Sequence, residues 1–310
     1  MLVDSVVELL RSLTPGLLSS WIVDGTVGLG GHAERVLDAL PTARLLGTDR
    51  DPAALEHARR RLARFGDRAR LVRARHSELA RIVREDLGER PAAFLFDLGV
   101  SSMQLDEAER GFSFQSDGPL DMRMDPGLDR TAAEIVNSWD ERDLADLFYY
   151  EGGETRSRAA ARAIVESRRR APFLRTGALA DCIARAFGGH TGKIHPATLV
   201  FQALRRAVNQ EGEELAAALA TAERELADGG RLLVITFHSG EDAVVKRHLA
   251  ALARAGRFEL LTKKPIEADQ AERRANPRSR SAKLRAAVRT RAGDQGDAPI
   301  ETPLSREGRP

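Results

Sequence analysis

The chain has 310 residues, of which 42% are hydrophobic and 30% charged, and its formal net charge is +2. These proportions are ordinary for a globular protein, and the length allows one large domain or two smaller ones with a substantial core. The single cysteine, Cys182, excludes an intramolecular disulfide and a cysteine-rich zinc cluster.

The first segment, MLVDSVVELLRSL, carries Asp4 and Glu8 within an apolar pattern. This pattern predicts an amphipathic helix and argues against a signal peptide. No apolar run in the sequence approaches the length of a membrane-spanning helix. We therefore expect a cytoplasmic protein that does not associate with a membrane.

The next part of the chain, to about residue 100, alternates strand patterns with helical patterns. Strands are predicted at 21–27, 44–49, 69–74 and 92–98, and helices at 32–40, 52–65 and 77–87. Asp51 is suited to cap the second of these helices, and Pro52 to occupy its first position. Alternation of this kind predicts an α/β fold with a parallel sheet and helices on both faces.

From about residue 105 to residue 210 no strand pattern is convincing. A segment rich in Gly, Asp and Pro (111–130) precedes helical stretches at 132–149, 155–170, 177–187 and 197–208. We therefore predict an α-helical domain, 105–210, inserted into a sheet domain that comprises 1–104 and 211–291.

The strand–helix alternation resumes after this insertion. A helix at 211–227, a strand at 231–237 and a helix near 241–254 are followed by strand patterns at 258–262 and 283–289. The last two strands predict an antiparallel hairpin at the sheet edge. Residues 292–310, which are rich in Gly, Pro and charge, are predicted to be a disordered tail.

The most informative motif runs from Val23 to His32, where a strand pattern breaks into a glycine loop before a helix. Such a unit forms the nucleotide site of open α/β sheets. Asp24 suits a cationic or hydroxyl-rich ligand and would repel a pyrophosphate, which favours S-adenosylmethionine over NAD. Because the run from Gly28 to Ala33 also matches a dinucleotide fingerprint, a dinucleotide site and a ligand-free tight turn are the alternatives.

Polar side chains follow four of the predicted strands, namely Asp24, Asp49, Asp97, and His238 with Ser239. Ligands of an open parallel sheet collect at the carboxyl ends of its strands. Asp49 lies about 20 residues beyond the glycine loop, where a carboxylate meets ribose hydroxyls. The three carboxylates together predict a site for an adenosine-type cofactor.

Short motifs run in order along almost the whole chain. They are DGTVGLGGH (24–32), TDRDP (48–52), DLGVSS (97–102), QLD (104–106), ERGFSF (109–114), DGPLDMRMD (117–125), HPAT (195–198), FQA (201–203), VN (208–209), FHS (237–239), ED (241–242) and NPRSRS (276–281). Each is weak alone, but the ordered set is highly specific. With it the chain resembles the RsmH (MraW) family of ribosomal RNA small-subunit methyltransferases.

This resemblance implies S-adenosyl-L-methionine as the methyl donor. The acceptor it implies is N4 of a decoding-centre cytidine (position 1402) of 16S ribosomal RNA in the small ribosomal subunit. It also implies a Rossmann-like methyltransferase sheet interrupted by a helical domain. We expect no metal site, and a homodimer is an open alternative. Besides Asp24, the cofactor contacts carried over by position are Gly30, Gly31, His32, Asp49, His76, Asp97 and Gln104. His76 stands where the family can have an aromatic residue over the adenine.

A cytosine amino group is a poor nucleophile because its lone pair is delocalised into the ring. An acceptor that hydrogen-bonds the N–H group can localise this pair and receive the proton. DNA amino-methyltransferases place an Asn or Asp before Pro-Pro-aromatic after the fourth strand. This chain lacks that motif but has a carboxylate, Asp97, at the same site. Asp97 is therefore the candidate catalytic residue, and His238 is the alternative.

A target base inside folded RNA must be splayed out before it can react. Phe112 and Phe114 are candidates to stack on it, the alternative being that they pack at a domain interface. Ten basic residues lie between Lys263 and Arg291. From these we predict that Arg278, Arg280 and Arg285 contact RNA phosphates, the alternative being a solvated surface.

Two other functions are weighed against this one. An NAD-dependent oxidoreductase could share the glycine loop, but Asp24 argues against it. A non-catalytic RNA-binding factor of ribosome assembly could keep a vestigial cofactor fold. The intact row of Asp24, Asp49 and Asp97 argues against that hypothesis.

Overall fold

A computed structural model of the chain describes residues 1–189 and 195–291. The chain forms two compact units, one made of Met1–Gly99 with the residues from Glu213 onward, the other of Val100–Gly212. The boundaries expected from sequence were after residues 104 and 210. The tail predicted at 292–310 lies outside the described residues.

The first unit is built on one mixed sheet. Its strands are β1 (Trp21–Asp24), β2 (Arg44–Asp49), β3 (Ala69–Arg73), β4 (Ala93–Asp97), β5 (Arg231–Thr236), β6 (Phe258–Leu260), β7 (Ile266–Glu267) and β8 (Lys283–Arg289). Their order is β3-β2-β1-β4-β5-β8-β6, and β7 pairs with β8. Strands β1 to β5 pair in parallel, as predicted, which gives a Rossmann-like α/β sheet.

The end of the sheet differs from the predicted hairpin. Strand β8 is antiparallel to β5 on one side and to β6 and β7 on the other, so it lies inside the sheet, with β6 and β7 outside it at this end. Strand β7 and a short helix, which the sequence patterns did not predict, lie between β6 and β8. The prediction of a simple edge hairpin was therefore wrong, although the antiparallel pairing was right.

Helices connect the strands and build the second unit. In chain order they are α1 (Val3–Arg11), α2 (Gly31–Ala39), α3 (Pro52–Leu62), α4 (Leu79–Asp86), α5 (Ser102–Asp106), α6 (Ala132–Ser138), α7 (Glu141–Tyr150), α8 (Ser157–Arg168), α9 (Thr176–Ala186), α10 (Thr198–Val208), α11 (Glu211–Glu225), α12 (Ser239–Arg254) and α13 (Gln270–Ala275). None of these helices is both long and apolar enough to cross a membrane.

Both faces of the sheet are covered. Val23 on β1 and Phe96 on β4 are fully buried in a core shared with apolar residues of α4, α11 and α12. Their strand neighbours Ile22 and Leu95 point to the opposite face and pack with α1 and α2. Because both faces are buried, these strands are continuously apolar until each reaches a polar residue at its carboxyl end.

The second unit is helical, with an apolar core of its own. The single helix predicted at 132–149 is instead two helices, α6 and α7. Asp140 explains the break, because its carboxylate accepts a hydrogen bond from the Asp143 N–H (2.8 Å) and so caps a new helix. In the described part of this unit, extended pairing is limited to one isolated bridge between Pro119 and Arg175.

Candidate active site

The strand order reverses between β1 and β4. From β1 the chain adds β2 and β3 on one side of the sheet, and it then adds β4 and β5 on the other side. The crevice outside the carboxyl ends of strands at such a point is where open α/β sheets bind ligands. Here the carboxyl ends are Asp24 on β1, Asp49 on β2 and Asp97 on β4.

Glycines allow the loop after β1 to lie against β4. The Gly25 N–H donates to the Leu95 carbonyl oxygen (2.9 Å), and a Cβ atom at Gly25 would stand 2.4 Å from a ring carbon of Phe96. Gly30, the N-cap residue that precedes α2, has φ +81°, a left-handed conformation that favours glycine. The loop therefore presents backbone, rather than side chains, to the crevice.

Thr26 and Gly28 tie this loop to the neighbouring carboxylates. The Thr26 N–H donates to Asp24 Oδ1 (3.1 Å), and Thr26 Oγ1 accepts from the Asp97 N–H (2.6 Å). The Gly28 N–H donates to Asp49 Oδ2 (2.9 Å). The structure thus brings together the three carboxylates that the strand ends predicted. Thr26 was missed, although a residue two positions after an Asp is a usual donor to its carboxylate.

The three carboxylates share an unusual electrostatic environment. In residues 1–189 and 195–291, no lysine or arginine side chain forms an ion pair with any of them. Burial raises the pKa of Asp24 to about 7, against the lowering effect of the hydrogen bond from Thr26. Burial also raises the pKa values of Asp49 and Asp97. A positively charged ligand would therefore stabilise the ionised form of these carboxylates, which burial disfavours.

His32 lies in the first turn of α2, between the chain start and Asp97. Its Nε2 is 2.8 Å from the Met1 carbonyl oxygen, and its Nδ1 is 3.5 Å from Asp97 Oδ2. Burial lowers the pKa of His32, so the imidazole is neutral at pH 7 and donates from Nε2. The other oxygen of Asp97, Oδ1, is buried without a hydrogen-bond partner among the described residues. This oxygen is available to a ligand.

His76 follows β3 and is held against the glycine loop. Its Nε2 is 3.0 Å from the Gly25 carbonyl oxygen, and its ring meets that of Phe96 edge-on with centroids 5.4 Å apart. Burial lowers the pKa of His76 to about 4, so the ring is neutral. Glu214 fixes this segment by accepting hydrogen bonds from the N–H and hydroxyl of Ser77 (3.1 and 2.9 Å).

His238 follows β5 at the same edge of the sheet as Asp97, because Ile235 pairs with Asp97. It caps α12, with its Nδ1 accepting from the Glu241 N–H (3.3 Å). Its Nε2 lies 2.9 Å from Glu241 Oε1. Both ring nitrogens are therefore engaged by Glu241.

Three predicted residues belong to the helical unit. Gln104 is buried and shares a capping box with Ser101 at the start of α5. Phe112 is 7% exposed and packs within the helical core, which argues against the prediction that it stacks on a base. Phe114 is half-buried and packs its ring near those of His195 and Phe201, with centroids 4.6 and 4.8 Å apart.

The predicted phosphate-binding arginines have different surroundings. Arg278 and Arg280 are exposed on a short turn between α13 and β8. Arg285 is only 7% exposed and donates from Nε and Nη2 to the two carboxylate oxygens of Asp242 (2.7 and 3.0 Å). This burial in an ion pair argues against the prediction that Arg285 contacts RNA.

Comparison with known proteins assigns the chain to a protein family. The model of the MraW methylase family matches residues 1–290. A Methylobacterium protein and a Synechococcus elongatus protein, both named ribosomal RNA small subunit methyltransferase H, are each 49% identical to the chain. Each alignment covers 92% of this chain, with 87% of the first relative and 94% of the second.

A crystal structure of an rRNA-methylase candidate from Clostridium thermocellum aligns over 92% of this chain and 96% of its own. Its TM-score is 0.44 and its sequence identity 12%. Because this TM-score is low, the structural match does not assign the family, and the assignment depends on the family model and the similar sequences. On that basis the chain belongs to the MraW methylase family.

Proposed function

We propose that this chain transfers a methyl group from S-adenosyl-L-methionine to N4 of a decoding-centre cytidine in 16S ribosomal RNA. The observation that carries the proposal is the cluster of Asp24, Asp49 and Asp97 around the glycine loop, in a chain of the MraW methylase family. The name of its relatives, ribosomal RNA small subunit methyltransferase H, supports the class of acceptor.

The residues at this edge fit the chemistry of the donor. When bound, S-adenosyl-L-methionine supplies an electrophilic methyl group on a positively charged sulfur. Three carboxylates without lysine or arginine partners among the described residues suit a ligand with sulfonium and ammonium groups. Asp49 accepts one N–H at each oxygen, from Gly28 and Asp51, and the remaining lone pairs can accept ribose hydroxyls. The unpartnered Oδ1 of Asp97 offers a further acceptor.

Asp97 is the residue best placed to act on the amino group of the cytosine. Its Oδ1 can accept a hydrogen bond from the amine N–H and then receive the proton as the methyl group arrives. His238 is a weaker candidate, because Glu241 engages both of its ring nitrogens. The raised pKa of Asp97 also brings its proton affinity closer to that needed for a general base near neutral pH.

Exposed side chains supply candidate contacts with the RNA. Arg278 and Arg280 project from a turn whose Ser279 is buried and whose Asn276 side chain caps the Arg278 N–H (3.2 Å). A rigid turn with two exposed guanidinium groups suits phosphates. Of the two phenylalanines predicted to contact a base, Phe114 is the one that is only half-buried.

The proposal is tested by mass spectrometry of ribosomal RNA nucleosides from a strain that lacks this protein. We expect N4-methylcytidine to disappear from 16S RNA and to return with the wild-type gene, but not with Asp97→Asn. Unchanged N4-methylcytidine in the deletion strain would contradict the proposed function. A thermal-shift comparison of S-adenosylhomocysteine with NAD tests the cofactor separately, because only a ligand of the folded state raises its melting temperature.

A further inference from the structure

Several buried carboxylates elsewhere in the fold have a basic partner of their own, whereas Glu214 accepts hydrogen bonds from Ser77. Asp242 is paired with Arg285, and Glu211 with Arg205 (2.7 Å). Glu223, which is fully buried, is paired with Arg257. A charge removed from water is strongly destabilising unless it is paired, so these arrangements are expected. The cluster of Asp24, Asp49 and Asp97 differs from them, because three carboxylates without a lysine or arginine partner among the described residues end three adjacent strands.

The groups that face this cluster do not replace the missing partner. On α2, His32 approaches Asp97 but is neutral at pH 7. The positive charge of the N-terminal ammonium lowers the pKa of Asp97 but does not offset the effect of burial. After β2, Arg50 lowers the pKa of Asp49 only as a weak contribution, and Asp51 opposes it. Asp49 and Asp97, from the two neighbouring strands, each make ionisation of Asp24 harder. Below about pH 7, the ligand-free protein therefore holds a proton on Asp24 in preference to three negative charges in the cluster.

We propose that the cluster couples the charge of the cofactor to a proton. Binding of S-adenosylmethionine, whose sulfur is positively charged, releases a proton from the cluster. Binding of S-adenosylhomocysteine, whose sulfur is neutral, leaves that proton in place. The proton passes from a carboxyl group of the cluster to the buffer, and no covalent bond of the ligand changes. This inference rests on the proposed function, because it assumes that S-adenosylmethionine and S-adenosylhomocysteine bind at this edge.

Asp24 is the group on which the coupling depends most. Its side chain is buried, with the residue 2% exposed, and its pKa is about 7. The Asp24 carboxyl group of the ligand-free protein is therefore largely protonated at pH 6. A cation stabilises the ionised form, so binding of the donor must release this proton below pH 7. The affinity for the donor should then fall as the pH decreases, while the affinity for the product falls less.

The test is calorimetry of the wild-type protein with S-adenosylmethionine and with S-adenosylhomocysteine, without RNA, between pH 5.5 and 7.0. In this range the ammonium groups of both ligands largely keep their protons. Measurements in two buffers of different ionisation enthalpy count the protons released. We expect the donor to release more protons than the product, and its affinity relative to the product to rise roughly tenfold across the range.

Two variants refine the test. Asp24→Asn should remove the difference in proton release and flatten the pH dependence of the affinity ratio. Asp38→Asn is the matched control, because Asp38 is a partly exposed carboxylate on α2 that pairs with Arg64 (2.6 Å), and it should behave as wild type. If Asp24→Asn fails to fold, the proton counts of the wild-type protein still decide the matter.

Equal proton release by the two ligands, or none, would overturn this inference and leave the proposed function intact. Failure of both ligands to bind would overturn the proposed function, and the inference with it.

Discussion

At the scale of the residue, the partner of a carboxylate decides its proton affinity. Asp24 and Asp242 are both buried, at 2% and 8% exposure. Hydrogen bonds from Arg285 lower the pKa of Asp242, whereas burial without such a partner raises that of Asp24. The same side chain is therefore a structural ion in one place and a group that can exchange protons in the other.

Asp97→Asn should lower the rate of methyl transfer and leave the fold intact. The amide is nearly isosteric and can still accept a hydrogen bond, but it has lost the negative charge that takes the proton. General-base assistance contributes on the order of 10² to 10⁴ in rate. The rate is measured in single turnovers with RNA bound and S-adenosylmethionine saturating. A rate near that of wild type would show that Asp97 only holds the cofactor, and His238→Ala would then be assayed in the same way.

Asp49→Ala should weaken the binding of S-adenosylhomocysteine more than the binding of RNA. The expected loss is about 1.5 to 3 kcal/mol for each charge-assisted hydrogen bond to a ribose hydroxyl. Calorimetry with the nucleoside ligand and an RNA-binding assay give the two values. An unchanged affinity for S-adenosylhomocysteine would remove Asp49 from the cofactor site.

At the scale of the element, strand β8 and the turn before it place neighbouring arginines in opposite environments. Arg285 lies on a strand between β5 and β6, and its guanidinium pairs with Asp242 in the first turn of α12. Arg278 and Arg280 lie on the turn, where no strand covers them. These arginines are close in sequence, but Arg285 is part of a buried ion pair whereas Arg278 and Arg280 are exposed.

Charge reversal at the exposed positions, Arg278→Glu with Arg280→Glu, should weaken RNA binding and flatten its dependence on salt. The slope should fall by a little under one unit for each RNA phosphate that the variant no longer neutralises. Binding is measured at several salt concentrations, with the melting temperature as a control for folding. An unchanged slope would make these arginines an ordinary solvated surface.

Arg285→Ala should instead destabilise the protein, by at most about 3 to 5 kcal/mol, because it removes both hydrogen bonds from Arg285 to the buried Asp242 carboxylate and leaves the more distant Lys283 (3.8 Å) to pair with it. Urea unfolding gives the free energy. Replacement of both partners by apolar residues, Arg285→Met with Asp242→Leu, should recover most of the loss. Full stability of the single variant would contradict the buried pairing.

At the scale of the whole molecule, the cofactor site reduces stability. Folding raises the pKa of Asp24 from its usual 3.8 to about 7, so between these values the unfolded chain binds fewer protons than the folded protein. The free energy of unfolding therefore falls as the pH rises through this window. The protein keeps an uncompensated carboxylate that a bound cation would stabilise.

Asp24→Asn should accordingly stabilise the ligand-free protein at pH 8, by at most about 4 kcal/mol, and should have little effect at pH 4. The Asn side chain can still accept the Thr26 N–H. Melting temperatures of wild type and variant across this range measure the difference. A variant that is less stable than wild type at pH 8 would show that Asp24 is already compensated in the free protein.

The sequence alone determined the order of the elements and the edge of the sheet at which the site forms. Apolar runs, glycines and caps act over a few residues, so they predicted β2 (Arg44–Asp49) and β8 (Lys283–Arg289) with their observed bounds. They also predicted that Asp24, Asp49 and Asp97 end neighbouring strands. The ordered motifs identified the family, which the comparisons confirm.

Only the tertiary structure decided which polar groups are paired and which are not. The partner of Arg285 is 43 residues away in sequence, and burial of Phe112 depends on helices that follow it in the chain. The raised pKa of Asp24 likewise requires strands β2 and β4 on either side of it. Such properties arise from contacts between distant segments, and a local pattern carries no information about them because it is compatible with either a buried or an exposed side chain.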